Sequence, residues 1–275
     1  MREIDVTQIT NLVKEMCIES NLTLNDDLQC ALKKGREIEE SKIGKEVFNQ
    51  LLQNAEYAKK DLTPLCQDTG IAVVFIEIGQ DVHLVGGDLK KAVYQGVSQG
   101  YEQGYLRKSM VKDPLNRVNT QDNTPPIIHT ELVPGDKIKI TIAPKGGGSE
   151  NMSRLAMLKP SDGKKGIIDF VIETIEKAGA NPCPPIIVGV GIGGNFEYAA
   201  YLAKKALLQP VGQTNHELEK ELLDEINKLG IGPQGFGGRM TALDVNILTY
   251  SCHIASLPIA VNLNCHTARH TTRYI

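Results

Sequence analysis

Apolar residues recur at helical spacing through the first 60 positions. Ile9, Leu12, Val13 and Met16 share one face, and Val47, Phe48, Leu51, Leu52 and Ala55 repeat the pattern. At 71–78 the pattern becomes a continuous apolar run, which predicts a buried strand, with a short second strand at 82–85. Asp88 then reads as the N-cap of a helix running to about Tyr105. Residues 106–126 are polar and carry Pro114, Pro125 and Pro126, a long loop of the kind that in a compact domain tends to be functional. Two strand patterns, 127–133 and 137–143, flank Pro134-Gly135-Asp136 and predict a hairpin, with Ile138, Ile140 and Ile142 on one side. A glycine loop at 146–151 leads into a short helix. A helix at 164–179, a buried strand at 186–190 and helices at 195–208 and 216–229 follow. Glycines crowd 230–238, and strands near 244–251 and 258–263 close the chain. The expected fold class is mixed α/β: a helical N-terminal region followed by a β-sheet core flanked by helices. No internal repeat or low-complexity linker marks a boundary, so residues 1–275 are expected to form one large domain or two intimately joined lobes.

Composition narrows the function. Hydrophobic content of 41% and charged content of 23% are those of a soluble globular protein. A net charge of −3 provides no basic footprint for nucleic acid. No apolar leader opens the chain and no stretch approaches the roughly 18 apolar residues of a membrane span, so a cytoplasmic protein is expected.

Six cysteines in such a protein are not expected to be a disulfide set, and no CxxC or zinc-knuckle spacing is present. They divide into two kinds. Cys17 and Cys30 lie in helical patterns beside Val13 and beside Leu28 and Leu32, and read as small buried hydrophobes. Cys252, in Thr249-Tyr250-Ser251-Cys252-His253, is assigned a strand-packing role. Cys66, Cys183 and Cys265 each sit beside Pro, Asn or Gln at an element boundary, where a thiolate can reach a ligand. Cys66 stands in Thr63-Pro64-Leu65-Cys66-Gln67-Asp68-Thr69-Gly70 at the mouth of a strand. Cys183 stands in Asn181-Pro182-Cys183-Pro184-Pro185, where Pro184 is expected to hold it extended. Cys265 ends a strand, and the following His266 and His270 are spaced for a metal face only if that frayed terminus were helical.

One motif is a decoy. Gly189-Val190-Gly191-Ile192-Gly193-Gly194 matches the dinucleotide pattern, but no second strand ending in a ribose-binding acid follows. Close backbone approach explains these glycines better.

The Pro-Leu-Cys-Gln-Asp-Thr-Gly run, the Lys145–Asn151 loop (Lys-Gly-Gly-Gly-Ser-Glu-Asn), the Asn-Pro-Cys-Pro-Pro segment and the Cys265 strand end together resemble the class I, iron–sulfur-dependent fumarate hydratases. The similarity is to the α-subunit, or N-terminal catalytic domain, of that hydro-lyase family, which includes L-tartrate dehydratase, and it covers essentially the whole chain. It implies a [4Fe–4S] cluster held by Cys66, Cys183 and Cys265. Three protein ligands for four irons leave one iron open as a Lewis acid for a substrate carboxylate and hydroxyl. The resemblance also implies a substrate-binding Arg at Arg107 and an active-site His at His253. Gln67 and Asp68 lie within reach of the same substrate, Asp68 as the proton-handling or hydroxyl-orienting group. The backbone of Gly146 and Gly147 could offer N–H groups to a carboxylate.

Single-chain members of the family continue into a second domain and two-subunit members supply it as a β chain. A separate β-subunit partner is therefore expected, in an α2β2-type assembly, with little turnover by this chain alone. The expected reaction is reversible hydration of fumarate to L-malate. L-tartrate dehydration and, outside the family, an iron–sulfur redox or iron sensor are the alternatives.

Overall fold

The computed structural model describes residues 2–213 and 216–275. In chain order its elements are β1 (Arg2–Asp5), α1 (Val6–Leu22), α2 (Asp26–Ile38), α3 (Lys42–Asp61), β2 (Ile71–Gly79), β3 (Val82–Val85), α4 (Leu89–Gln103), β4 (Ile127–Val133) and β5 (Ile138–Lys145). Then come α5 (Gly147–Glu150), β6 (Arg154–Leu158), α6 (Gly163–Ala178), β7 (Ile186–Gly194), α7 (Phe196–Ala206), α8 (Glu217–Lys228), β8 (Ala242–Cys252), β9 (Leu257–Asn264) and β10 (Thr271–Tyr274). The mixed α/β class is as the pattern predicts. The chain divides into two compact units: residues 1–24, 57–147 and 269–275, and residues 25–56 and 148–268.

In the first unit a four-stranded sheet, ordered β10-β5-β2-β4, has β2 at its interior. Asp5 caps α1 by accepting from the Thr7 amide at 2.8 Å, and Asp88 caps α4 by accepting from Lys91 at 2.7 Å. The two helices turn Ile9, Val13, Met16 and Cys17, with Val93, Val97 and Tyr101, onto Ala72, Val74, Ile76, Ile138, Ile140 and Ile142 of the sheet. The predicted hairpin is not formed. β5 is antiparallel to β2, and β4 pairs parallel with the other edge of β2, so β2 separates the two strands. β2 is the more continuously apolar strand and takes the interior position; β4, with His129, Thr130 and Glu131, is the polar edge.

The second unit repeats this arrangement with other residues. Its sheet, ordered β6-β9-β7-β8, has β7 parallel to β8 and antiparallel to β9, with β6 antiparallel to β9. α6 and α8 supply Ile167, Phe170, Val171, Ile175, Leu222 and Ile226 to its core. The order and sense of the strands match those of the first unit, a repetition the sequence does not display. The outermost strands are exchanged in chain order: β6 follows β5 yet joins the second sheet, and β10 follows β9 yet joins the first. Each sheet has an interior strand, β2 or β7, preceded by a short irregular loop. Cys66 lies in one such loop and Cys183 in the other. The glycines of β7 do serve close approach: a Cβ on Gly191 would lie 2.1 Å from the Ala199 carbonyl oxygen of α7.

Cys17 is fully buried, as expected, and burial pushes its thiol up to about 12. Cys30 is exposed, contrary to expectation, because the apolar face of α2 is carried by Leu28 and Leu32 alone. Serine at Cys17 should therefore destabilise by about 1–3 kcal/mol, read as a lower urea midpoint, whereas serine at Cys30 should leave the midpoint nearly unchanged. No helix among the described residues is long and apolar enough to cross a membrane.

Candidate active site

The loop from Thr63 to Gly70 enters β2 with no helical or strand hydrogen bonding of its own. Leu65 anchors it by burial and by donating its amide to the Asn21 carbonyl at 2.9 Å. Gly70 ends it at φ 73°, where a Cβ would lie 2.6 Å from the Lys145 backbone, so only glycine fits. Between these anchors the Cys66 sulfur accepts from the Asp68 amide at 3.4 Å, an N–H···S contact of the type that favours a ligating thiolate. The Asp68 carboxylate is fixed at both oxygens: Oδ1 accepts from the Gly70 amide at 3.0 Å and Oδ2 from the Gly147 amide at 2.8 Å. The Gly147 N–H thus serves Asp68 itself, and Gly146 lies close enough that an added Cβ would approach Oδ2 to 3.1 Å. Gln67 is exposed. Arg107, just beyond α4, has an exposed side chain, while its carbonyl accepts from the Thr69 hydroxyl at 2.9 Å.

In the second unit the turn before β7 carries Cys183. Its backbone is not extended: φ is +57°, in the left-handed region. The Cys183 amide closes a turn on the Ala180 carbonyl at 3.0 Å, and its own carbonyl accepts from the His266 amide at 3.4 Å. These two bonds override the preference imposed by Pro184. The sulfur is left exposed, 3.9 Å from the Asn181 carbonyl. Gln234 braces the same turn, donating Nε2 to the Pro184 carbonyl at 2.7 Å beside His266 Nδ1 at 3.1 Å. Cys265 follows β9, with its sulfur 3.0 Å from the Thr267 hydroxyl. The run from Cys265 to His270 is a turn rather than a helix, so His266 and His270 do not form a helical metal face.

The glycine loop between β5 and β6 continues into this unit. There Glu150 receives Lys204 Nζ on both carboxylate oxygens at 2.5 Å and the Asn262 amide at 3.1 Å. Burial pulls the Lys204 ammonium below its ordinary range, and Glu150 opposes that shift.

Cys252 is exposed at the end of β8, where its sulfur donates to the Ser256 carbonyl at 3.4 Å. It does not pack in the sheet, because the last four residues of β8 project beyond the buried part. His253 stands in the turn that follows, also exposed. Its Nδ1 accepts from the Ala255 amide at 3.1 Å, which leaves the proton of the neutral ring on Nε2. The structure thus gathers Cys66, Gln67, Asp68, Arg107, Gly146 and Gly147 in the first unit; in the second it brings Cys183 and Cys265 to one end of the sheet, where β7 begins and β9 ends, and leaves His253 at the opposite end, beyond the pairing of Cys252 with Gly194. None of the six cysteines forms a disulfide. Among the described residues no three His, Cys, Asp or Glu side chains surround a single metal ion's position.

Residues 10–273 match the family described as fumarate hydratase (Fumerase). The chain belongs to the fumarate hydratase family. A protein of Methanocaldococcus jannaschii, named provisionally as an L(+)-tartrate dehydratase subunit alpha, is 42% identical over 281 residues, covering 98% of each chain. The L(+)-tartrate dehydratase subunit alpha of Escherichia coli K12 is 33% identical over 276 residues, covering 97% of this chain and 90% of its own. That of Shigella sonnei is similar to the same extent. Membership in this hydro-lyase family follows from nearly the full length of the chain.

Sequence reasoning missed the groups that hold these loops. Gln234 braces Cys183, and Arg269, Tyr101, Asn123 and Asn21 surround the Cys66 loop. His266, singled out by its spacing to His270, instead braces Cys183, and Arg269, four residues after Cys265, also lies near that motif.

Proposed function

We propose that this chain is the α-subunit of an iron–sulfur hydro-lyase that interconverts fumarate and L-malate, with Cys66, Cys183 and Cys265 as its three cluster ligands and residues 1–275 as its catalytic part. The donor set suits the group. All three are thiols on irregular segments rather than core cysteines, and Cys66 already accepts an N–H bond at sulfur. When bound, a [4Fe–4S] cluster with one iron lacking a protein thiolate supplies a Lewis acid for a carboxylate and an adjacent hydroxyl.

The chain's own residues supply the rest. Arg107 extends an exposed guanidinium suited to a planar, bidentate carboxylate. Gln67 offers a neutral amide beside Cys66. Asp68 cannot swing freely, because amides hold both of its oxygens; a carboxylate so fixed can accept or return a proton at one atom without reorganising. His253 presents an Nε2–H, but at the end of the second sheet opposite Cys183 and Cys265. The observation that carries the reading is this doubly anchored Asp68, two residues from a half-buried thiol that accepts its amide.

The relatives' names support two refinements. They are called alpha subunits, and we propose a separate β-subunit for this chain, in an α2β2-type assembly that completes the substrate clamps. Those names also favour a second reading, dehydration of L(+)-tartrate, which differs from malate by one hydroxyl.

The test is anaerobic reconstitution with iron and sulfide, with and without the β chain, followed by assays on fumarate, L-malate and L(+)-tartrate. Interconversion of fumarate and malate is expected only with the β chain present. Tartrate consumption without malate turnover would move the assignment to the second reading. Robust activity of the α chain alone would overturn the two-subunit proposal.

A further inference from the structure

We infer that Arg269, together with Tyr101, Asn123 and Asn21, is a positioning group that locks the loop carrying Cys66 and Asp68 into its ligand-presenting form. The inference rests on the reading of Cys66 as a ligand and Asp68 as a reacting carboxylate, and deepens it. Three consecutive carbonyls, those of Asp68, Thr69 and Gly70, lie in irregular backbone, and each is met by a buried side chain. An Arg269 guanidinium nitrogen donates to the Asp68 carbonyl at 3.0 Å. The Tyr101 hydroxyl stands 2.8 Å from the Thr69 carbonyl and 3.1 Å from that of Gly70. Asn123 Nδ2 donates to the Gly70 carbonyl at 3.1 Å.

Tyr101 and Asn123 are fully buried, and Arg269 is 4% exposed. Burial pushes the Tyr101 hydroxyl above its ordinary range, so it remains a donor. Arg269 also donates twice to Asn21 Oδ1, at 3.3 and 3.0 Å. Asn21 in turn accepts the Leu65 amide on its carbonyl and donates its side chain to the Cys17 carbonyl at 2.9 Å. One buried network therefore reaches both ends of the loop.

Burying a guanidinium is unfavourable by several kcal/mol unless strong hydrogen bonds compensate it, and an apolar side chain could fill the same volume. A cation placed there has a use where irregular backbone must be held to within about half an ångström. Arg269 follows Cys265 by four residues in the chain.

The test uses Tyr101→Phe and Arg269→Lys in the full chain, with amide hydrogen exchange followed by mass spectrometry. Tyr101→Phe keeps the ring and removes the hydroxyl; Arg269→Lys keeps the charge but cannot fork between Asn21 and Asp68. Exchange in the peptide covering 63–70 should quicken by about tenfold, while peptides from β7 and β9 stay at their wild-type rates. In protein reconstituted with its partner, a chelator should strip iron several-fold faster, and kcat should fall with KM nearly unchanged. Exchange at 63–70 that is unchanged, or that rises equally everywhere, would overturn the inference. If Arg269→Lys does not fold, Tyr101→Phe decides the matter by the same criterion. If wild-type chain takes up no iron, the cluster reading fails while the exchange result still judges the clamp.

Discussion

Serine at Cys183 is expected to give a normally folded chain that no longer holds a complete iron–sulfur cluster after anaerobic reconstitution. The sulfur is exposed and its turn is held by backbone bonds to Ala180 and His266, so folding stability should change by no more than about 0.5 kcal/mol. A hydroxyl is a much harder donor than a thiolate and a poor substitute toward iron–sulfur clusters. The visible absorbance and the iron content per chain should therefore drop sharply at unchanged melting temperature. The same result is expected for Cys66→Ser and Cys265→Ser. Cys252→Ser and Cys30→Ser should leave the absorbance intact, although both side chains are as accessible as Cys183. This contrast separates ligation from mere exposure. Loss of the cluster in Cys252→Ser, with retention in Cys183→Ser, would show the ligand set to be wrong.

That contrast also marks what the sequence could and could not reveal. Helices were legible because their apolar faces repeat at 3.6 residues and their caps are local: Asp88 announced α4 through a bond to an amide three residues on. The three ligand candidates were legible from polar and proline neighbours. Pairing was less accessible. The 134–136 turn has hairpin chemistry, yet β4 and β5 lie on opposite sides of β2, because which strand fills the interior depends on relative apolar content across the sheet rather than on the turn. The repeated topology of the two units and the exchange of β6 and β10 leave no local signal at all. At the site, the ligand loops were visible but their supports were not. Asn123, 53 residues from the carbonyl it holds, and Arg269, 201 residues from Asp68, contribute through long-range bonds that no periodicity encodes. The conformation of Cys183 was misread for a related reason: the local constraint from Pro184 is real, but a non-local bond from His266 decides the outcome.

Asp68→Asn should lower kcat by roughly 10²–10⁴ if this carboxylate transfers or orients the proton, the range typical of losing a general acid–base group. The substitution is nearly isosteric, but its effect on the loop is not neutral. Both Asp68 oxygens accept from amides, Gly70 on one side and Gly147 on the other. Asparagine retains one acceptor and presents an NH₂ group to the other amide, so one of the two bonds is replaced by a donor–donor contact, unfavourable by about 1–3 kcal/mol for a partly buried group. The Gly147 side should yield first, since Gly147 is exposed and Gly70 is confined by the Lys145 backbone. Two measurements divide the effects. Cluster absorbance and iron content should stay at wild-type levels, because Cys66 is held through the Asp68 backbone and not its side chain. Gly147→Ala, which keeps the carboxylate and perturbs only the loop opposite it, should lower kcat far less than Asp68→Asn. Equal losses in the two variants would assign Asp68 to shaping the glycine loop and remove it from the proton transfer.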